Sequence, residues 1–172
     1  QTDTRGLVFS NAPGQAYNSW QLDGKTLVNR ATGEIDLDSQ VLAADVKFGQ
    51  GAQLVNNGTF QINVGTSQVP LRFFNDDSIG GKIQNAGVID MVGSASASSA
   101  DVYQLGGSIL CYTDLDNAGA IGLNRFTNTR LHLLGTGTSS GDFFVGEGSQ
   151  LFLSGTQHLT STSRVLANGD VS

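Results

Sequence analysis

Apolar residues along this chain fall two apart in short runs, with a polar or small residue between them. Ile35 and Leu37 flank Asp36, Phe60 and Ile62 flank Gln61, Ile89 and Met91 flank Asp90, and Ile121 and Leu123 flank Gly122. Alternation with period two turns one side of a segment to a core and the other to solvent, so each run predicts a half-buried β-strand. Each run also follows the same phrase of an apolar residue, an Asn and a Gly. The four copies are Leu27-Val-Asn29 with Gly33, Leu54-Val-Asn56-Asn-Gly58, Ile83-Gln-Asn85-Ala-Gly87 and Leu115-Asp-Asn117-Ala-Gly119. The Asn-x-Gly step predicts a tight turn that uses the tolerance of Gly for left-handed backbone. The unit reads as strand, turn, strand.

The shared glycines Gly33, Gly58, Gly87 and Gly119 recur at intervals of 25, 29 and 32 residues, a spacing that denotes stacked supersecondary units. A looser fifth copy, Leu151 to Leu159, keeps Gly155 without an Asn, and a sixth begins at Leu166-Ala-Asn168-Gly169. A second glycine-bearing turn precedes the copies at Gly49 to Gly51, Gly80-Gly81, Gly106-Gly107 and Gly146 to Gly148. Three short strands per repeat are the content of one coil of a β-solenoid. The expected fold is all-β: a single-stranded, right-handed parallel β-helix of about six coils, forming one domain over residues 1–172. Open sheet ends need covering; residues 1–22, with Trp20, are the expected N-terminal cap, and residues 167–172 read as an unfinished last coil. Residues 94–100 and 135–142 read as outward loops. With the coils in register, Asn29, Asn56, Asn85 and Asn117 would stack as a structural ladder, because buried turn amides need partners.

Composition narrows the class. Charged residues make up 14% of the chain and 23 residues are Gly, which suits a turn-dense β protein. A net charge of −6 and a pI near 4.6 argue against nucleic acid as a partner. No run approaches the ~18 apolar residues that cross a bilayer. The start at Gln1 suits a mature secreted chain, and equally a trimmed one. Cys111 stands alone, so no internal disulfide framework is expected.

Candidate chemistry is sparse. Asp36 and Asp90 hold equivalent positions two coils apart, roughly 10 Å by strand spacing, beyond the usual range for paired acid and base work on a glycosidic bond. Asp114-Leu-Asp116-Asn117 with Gly119 resembles the start of a calcium loop without its closing Glu. A solvated turn is the favoured reading there, with weak calcium binding as the alternative. His132 and His158 have no third ligand at metal spacing, and no cofactor motif is present. Asn57-Gly-Thr59 is an N-glycosylation sequon, relevant if a eukaryote secretes the chain.

Three segments of the second half, Asn117-Ala-Gly-Ala-Ile-Gly-Leu-Asn-Arg125, Gly135-Thr-Gly137 and Val145-Gly-Glu-Gly-Ser-Gln-Leu-Phe-Leu-Ser-Gly155, together resemble the N-terminal domain of the hyphally regulated cell-wall proteins of yeasts. The likeness spans roughly residues 48–165 and is shared in part with bacterial filamentous-haemagglutinin-type columns. It implies a β-helix displayed from a cell wall and acting in attachment or wall architecture. The family's usual cysteines in this half are Gly122 and Thr138 here, so its disulfide is not implied.

The expected function is a non-enzymatic, secreted or cell-surface structural and adhesive module that meets glycans, wall polymers or neighbouring cells. The alternatives are a polysaccharide lyase or hydrolase using Asp36 and Asp90, and a subunit that associates end to end into a filament.

Overall fold

The computed structural model describes residues 7–10, 17–38, 43–65, 70–93, 108–124 and 129–172. Every regular element among them is a β-strand, and the chain winds through three faces in turn. The first winding is β1 (Leu7–Ser10), β2 (Tyr17–Asp23) and β3 (Thr26–Asn29), and the second is β4 (Glu34–Asp38), β5 (Ala43–Gly49) and β6 (Ala52–Asn56). The third is β7 (Thr59–Gly65), β8 (Leu71–Asn75) and β9 (Gly81–Asn85), and the fourth is β10 (Val88–Gly93), β11 (Ser108–Cys111) and β12 (Asp114–Asn117). The fifth and sixth are β13 (Ala120–Leu123), β14 (Arg130–Leu133), β15 (Gly137–Ser139), then β16 (Asp142–Val145), β17 (Gln150–Leu153), β18 (Gln157–Leu159). Two further strands, β19 (Arg164–Ala167) and β20 (Asp170–Val171), add part of a seventh.

Each strand pairs in parallel with its counterpart one winding away, giving two 7-stranded sheets and one 6-stranded sheet. Sheet I holds β1, β4, β7, β10, β13, β16 and β19; sheet II holds β2, β5, β8, β11, β14, β17 and β20; sheet III holds β3, β6, β9, β12, β15 and β18. This is the parallel β-helix of about six coils expected from the repeat. No helix among the described residues is long and apolar enough to cross a membrane.

The interior follows from the alternation. On sheet I, Ile35, Phe60, Ile89, Ile121 and Phe143 pair rung by rung, and all are at most 4% exposed. Leu37, Ile62, Met91, Leu123 and Val145 form the parallel row. Sheet II adds Val46, Phe48, Phe73, Ile109, Leu131, Leu133 and Leu151, and sheet III adds Leu54, Ile83 and Leu115. Burying such side chains stabilises the column by about 1.5–3 kcal/mol each.

Three expectations change. Residues 7–10 and 17–22, expected to cap the column, are rungs of sheets I and II paired with β4 and β5, and Trp20 packs against the core. Gly155 does not belong with Gly33, Gly58, Gly87 and Gly119: it lies between β17 and β18 and stacks over Gly135. The fifth member of the column is Gly141, whose turn replaces Asn with Ser139, 22 residues after Asn117. The third change concerns why glycine is needed. Positive φ among the described residues occurs at Gly24, Gln50, Gly51, Gly80 and Gly148, none of them in the Asn-x-Gly turns. Those glycines are required by close approach: a Cβ on Gly87 would lie 2.1 Å from the Gly58 carbonyl oxygen, and one on Gly119 would lie 2.0 Å from that of Gly87. The same carbonyls accept the amides of Val88 and Ala120 in the next winding, so they point at the turn above and leave no room for a side chain.

Candidate functional site

The repeat asparagines form a continuous internal chain of hydrogen bonds. Asn29 Nδ2 donates to Asn56 Oδ1 at 2.7 Å and to the Thr59 carbonyl at 2.8 Å. Asn56 donates to Asn85 Oδ1 at 2.8 Å and to the Val88 carbonyl at 3.0 Å. Asn85 continues to Asn117 Oδ1 at 2.9 Å and to the Ala120 carbonyl, and Asn117 reaches Ser139 Oγ and the Asp142 carbonyl. All four asparagines are at most 5% exposed. Each side-chain amide spends both protons on the following winding, which ties sheet III to the turn and fixes the register. Glycine column and asparagine ladder are thus framework, and function has to sit on the outward faces.

Sheet III carries polar groups outside over its middle windings. Asp114 accepts hydrogen bonds from the Thr136 amide and hydroxyl; Asp116 accepts from the Thr138 amide and is ion-paired with Lys82. The two carboxylates weighed as calcium ligands are therefore engaged by the neighbouring windings, and no group of three or more His, Cys, Asp or Glu placed to hold a metal occurs among the described residues. Asp77 accepts the amides of Gln50, Ile79 and Gly80, and these bonds hold its carboxyl below the usual range. That aspartate staples the corner between sheets II and III. Asn57, the sequon asparagine, is exposed at a corner together with Thr59. Cys111 is buried, and burial pushes its thiol up to about 12, so it is inert.

Sheet II carries outward aromatic residues. Phe74 pairs toward Tyr112 through the Tyr112 amide on the Phe73 carbonyl, and Tyr112 is 47% exposed. Lys47 Nζ and the Arg72 guanidinium each lie 5.7 Å from the Phe74 ring centre. Arg72 is held from below by a two-pronged contact to buried Asp45, with both distances 2.7 Å. In the neighbouring row His132 and Phe152 stack at 4.2 Å with an interplanar angle of 11°. Burial, helped by Arg130, holds His132 below its ordinary pKa, favouring the neutral ring. The four rings thus form a strip two rows wide on the outward face of sheet II, Phe74 and Tyr112 in one row and His132 and Phe152 in the other. Sequence reasoning missed it because connections of unequal length precede β8, β11, β14 and β17, so no fixed spacing links Phe74, Tyr112, His132 and Phe152.

Sheet I contains the carboxylates weighed as a catalytic pair. Asp36, Gln61, Asp90, Gly122, Phe144 and Leu166 occupy successive rungs of one outward row. Gln61 thus separates Asp36 from Asp90. A shallow trough of about 650 Å³ opens on the other side of Asp90, lined by Gly122, Asn124, Phe144, Leu166 and Asn168 among others. Among the described residues Asp90 is the one acid lining it, so they offer no second carboxylate of the kind that hydrolysis of a glycosidic bond uses. Burial raises the Asp90 pKa. Ionising Asp90 therefore costs the folded state more than the unfolded one, and at neutral pH that difference is a loss of stability. Asp90→Asn should be more stable than the parent above that raised pKa, and the difference should vanish as pH falls below the ordinary carboxylate range. Thermal melts of both proteins between pH 3 and pH 8 check this.

Compared with family models, curated proteins and solved structures, the chain matches none.

Proposed function

We propose that this chain is a non-enzymatic surface module that holds glycans or wall polymers on the outward faces of a rigid column. The observation that carries the reading is the strip of Phe74, Tyr112, His132 and Phe152 on sheet II. Aromatic faces attract the slightly positive C–H edges of a sugar ring, and a stiff parallel sheet presents several such faces without ordering cost on binding. Lys47 and Arg72 beside Phe74 add donors for hydroxyl or acidic groups. The resemblance of the second half to yeast cell-wall adhesin domains supports the same reading, with a secreted or wall-displayed location. Catalysis by Asp36 and Asp90 is disfavoured by their separation across Gln61 and by Asp90 being the single acid among the described residues that line the trough.

Titration of the chain against a panel of wall glucans, mannans and their oligosaccharides tests the proposal. Tyr112→Ala removes a half-exposed ring at little cost to the fold, and should weaken binding about tenfold, the equivalent of one aromatic contact of about 1.4 kcal/mol. Binding that ignores both Tyr112→Ala and Phe74→Ala would refute the strip as the contact surface. Turnover of any of these polymers that Asp90→Asn abolishes would refute the non-enzymatic reading.

A further inference from the structure

Glycine inside a strand weakens it, because it adds conformational entropy to the unfolded chain and no side chain to the sheet. At the turns of this column glycine has a steric reason instead: at Gly58, Gly87, Gly119 and Gly141 an added Cβ would lie within 2.3 Å of a backbone carbonyl oxygen. Gly122, in the middle of β13, has no such reason. Its added Cβ would meet Asp90 Oδ1 at 3.4 Å and the Ile89 carbonyl oxygen at 3.9 Å, which is ordinary contact, and its φ is not positive. The fold does not require a glycine there.

What the missing side chain creates is a gap in an otherwise filled outward row. Asp90 stands on one side and Phe144 on the other, two strand spacings or roughly 10 Å apart at the backbone. Phe144 is 41% exposed and Leu166 beyond it 48%, so an apolar wall faces a carboxyl group across a bare floor. Asn168 is exposed at the rim. Among the described residues, no Lys or Arg lines the trough. A saturated ring about 5 Å across, with one apolar face and hydroxyl groups on its edge, matches this arrangement in size and chemistry.

We infer that the trough over Gly122 is a subsite for one neutral pyranose ring, its C–H face against Phe144 and two of its hydroxyl groups donating to the Asp90 carboxylate. The ligand class rests on the glycan-binding reading above, while the site lies on a different sheet from the aromatic strip. The desolvation that raises the Asp90 pKa fits the role, because a carboxyl group drawn partly out of water binds hydroxyl donors more strongly than a fully hydrated one.

An NMR titration of the full chain with methyl glucopyranoside, methyl mannopyranoside and methyl glucosaminide separates the outcomes. The inference expects one neutral glycoside to shift the Gly122 amide and the Phe144 ring signals, with affinity falling about tenfold or more in Gly122→Val and unchanged in Tyr112→Ala. Gly122→Ala, which only reaches ordinary contact distance, keeps the test valid should the valine variant melt early, and Asp90→Asn should weaken binding without filling the gap. A response to the cationic glucosaminide alone would overturn the inference in favour of an ammonium site. So would neutral binding that survives Gly122→Val. Shifts confined to the Phe74 and Tyr112 signals would reject the trough and leave the proposed function standing, and shifts at neither place would reject both.

Discussion

Gly87→Ala destabilises the column by about 3 kcal/mol or more, the upper end of what overpacking costs, although it adds one methyl group at a chain corner. The Cβ would lie 2.1 Å from the Gly58 oxygen, 2.7 Å from the Asn57 carbonyl carbon and 2.8 Å from the Gly58 nitrogen. All three are backbone atoms, so no side chain can swing aside. Relief requires the turn to rise, which stretches the Val88 amide bond to the Gly58 carbonyl, 2.9 Å long. Ala86, next to it, is exposed, and its replacement by Ser should change stability by less than about 0.5 kcal/mol. Urea unfolding of the two variants side by side checks the contrast; equal midpoints would show that the turns do not stack at this distance.

Asn56→Ala costs about 3–5 kcal/mol, for a different reason. The residue is 0% exposed and joins three partners: Asn29 below, Asn85 above and the Val88 carbonyl. Truncation leaves the Asn85 oxygen without its donor and the Asn29 amide one acceptor short. Each stranded buried group costs about 1–3 kcal/mol, and the space left behind adds a cavity term. Asn56→Asp should be no milder, because a carboxylate has no proton to give Asn85 or Val88 and would be buried beside their oxygens. Denaturant midpoints of the two variants measure the effect, and a loss below about 1 kcal/mol in both would show that the ladder contributes little.

Sheets I and III were legible in the sequence because their strands flank the one turn that permits almost no variation: a side-chain amide bonds the following winding and a bare glycine sits against the preceding one, so the residue types repeat. Sheet II was less legible. Its strands follow connections of varied length, and its outward positions, such as Arg72, Leu110, His132 and Phe152, share no residue type. The fifth turn escaped because Ser139 takes the place of Asn, a swap tolerated where the hydroxyl can both accept from Asn117 and donate to the Gly141 carbonyl. The glycine spacing then favoured Gly155, which sits at a different corner. The reason for glycine was also misread: conformational freedom and close approach select the same residue, and only the position of the neighbouring carbonyl separates them. The trough could not be read at all, because its signal is a glycine that the fold can do without.

The account depends on each winding lying directly over the last, with the asparagine amides as the link. Hydrogen exchange of the side-chain amide protons of Asn29, Asn56 and Asn85, followed by NMR, measures that link directly. The account predicts exchange as slow as the core backbone amides, with contacts from Asn56 Hδ2 to Asn85 and Val88. Exchange at the rate of the exposed Asn57 side chain would contradict it.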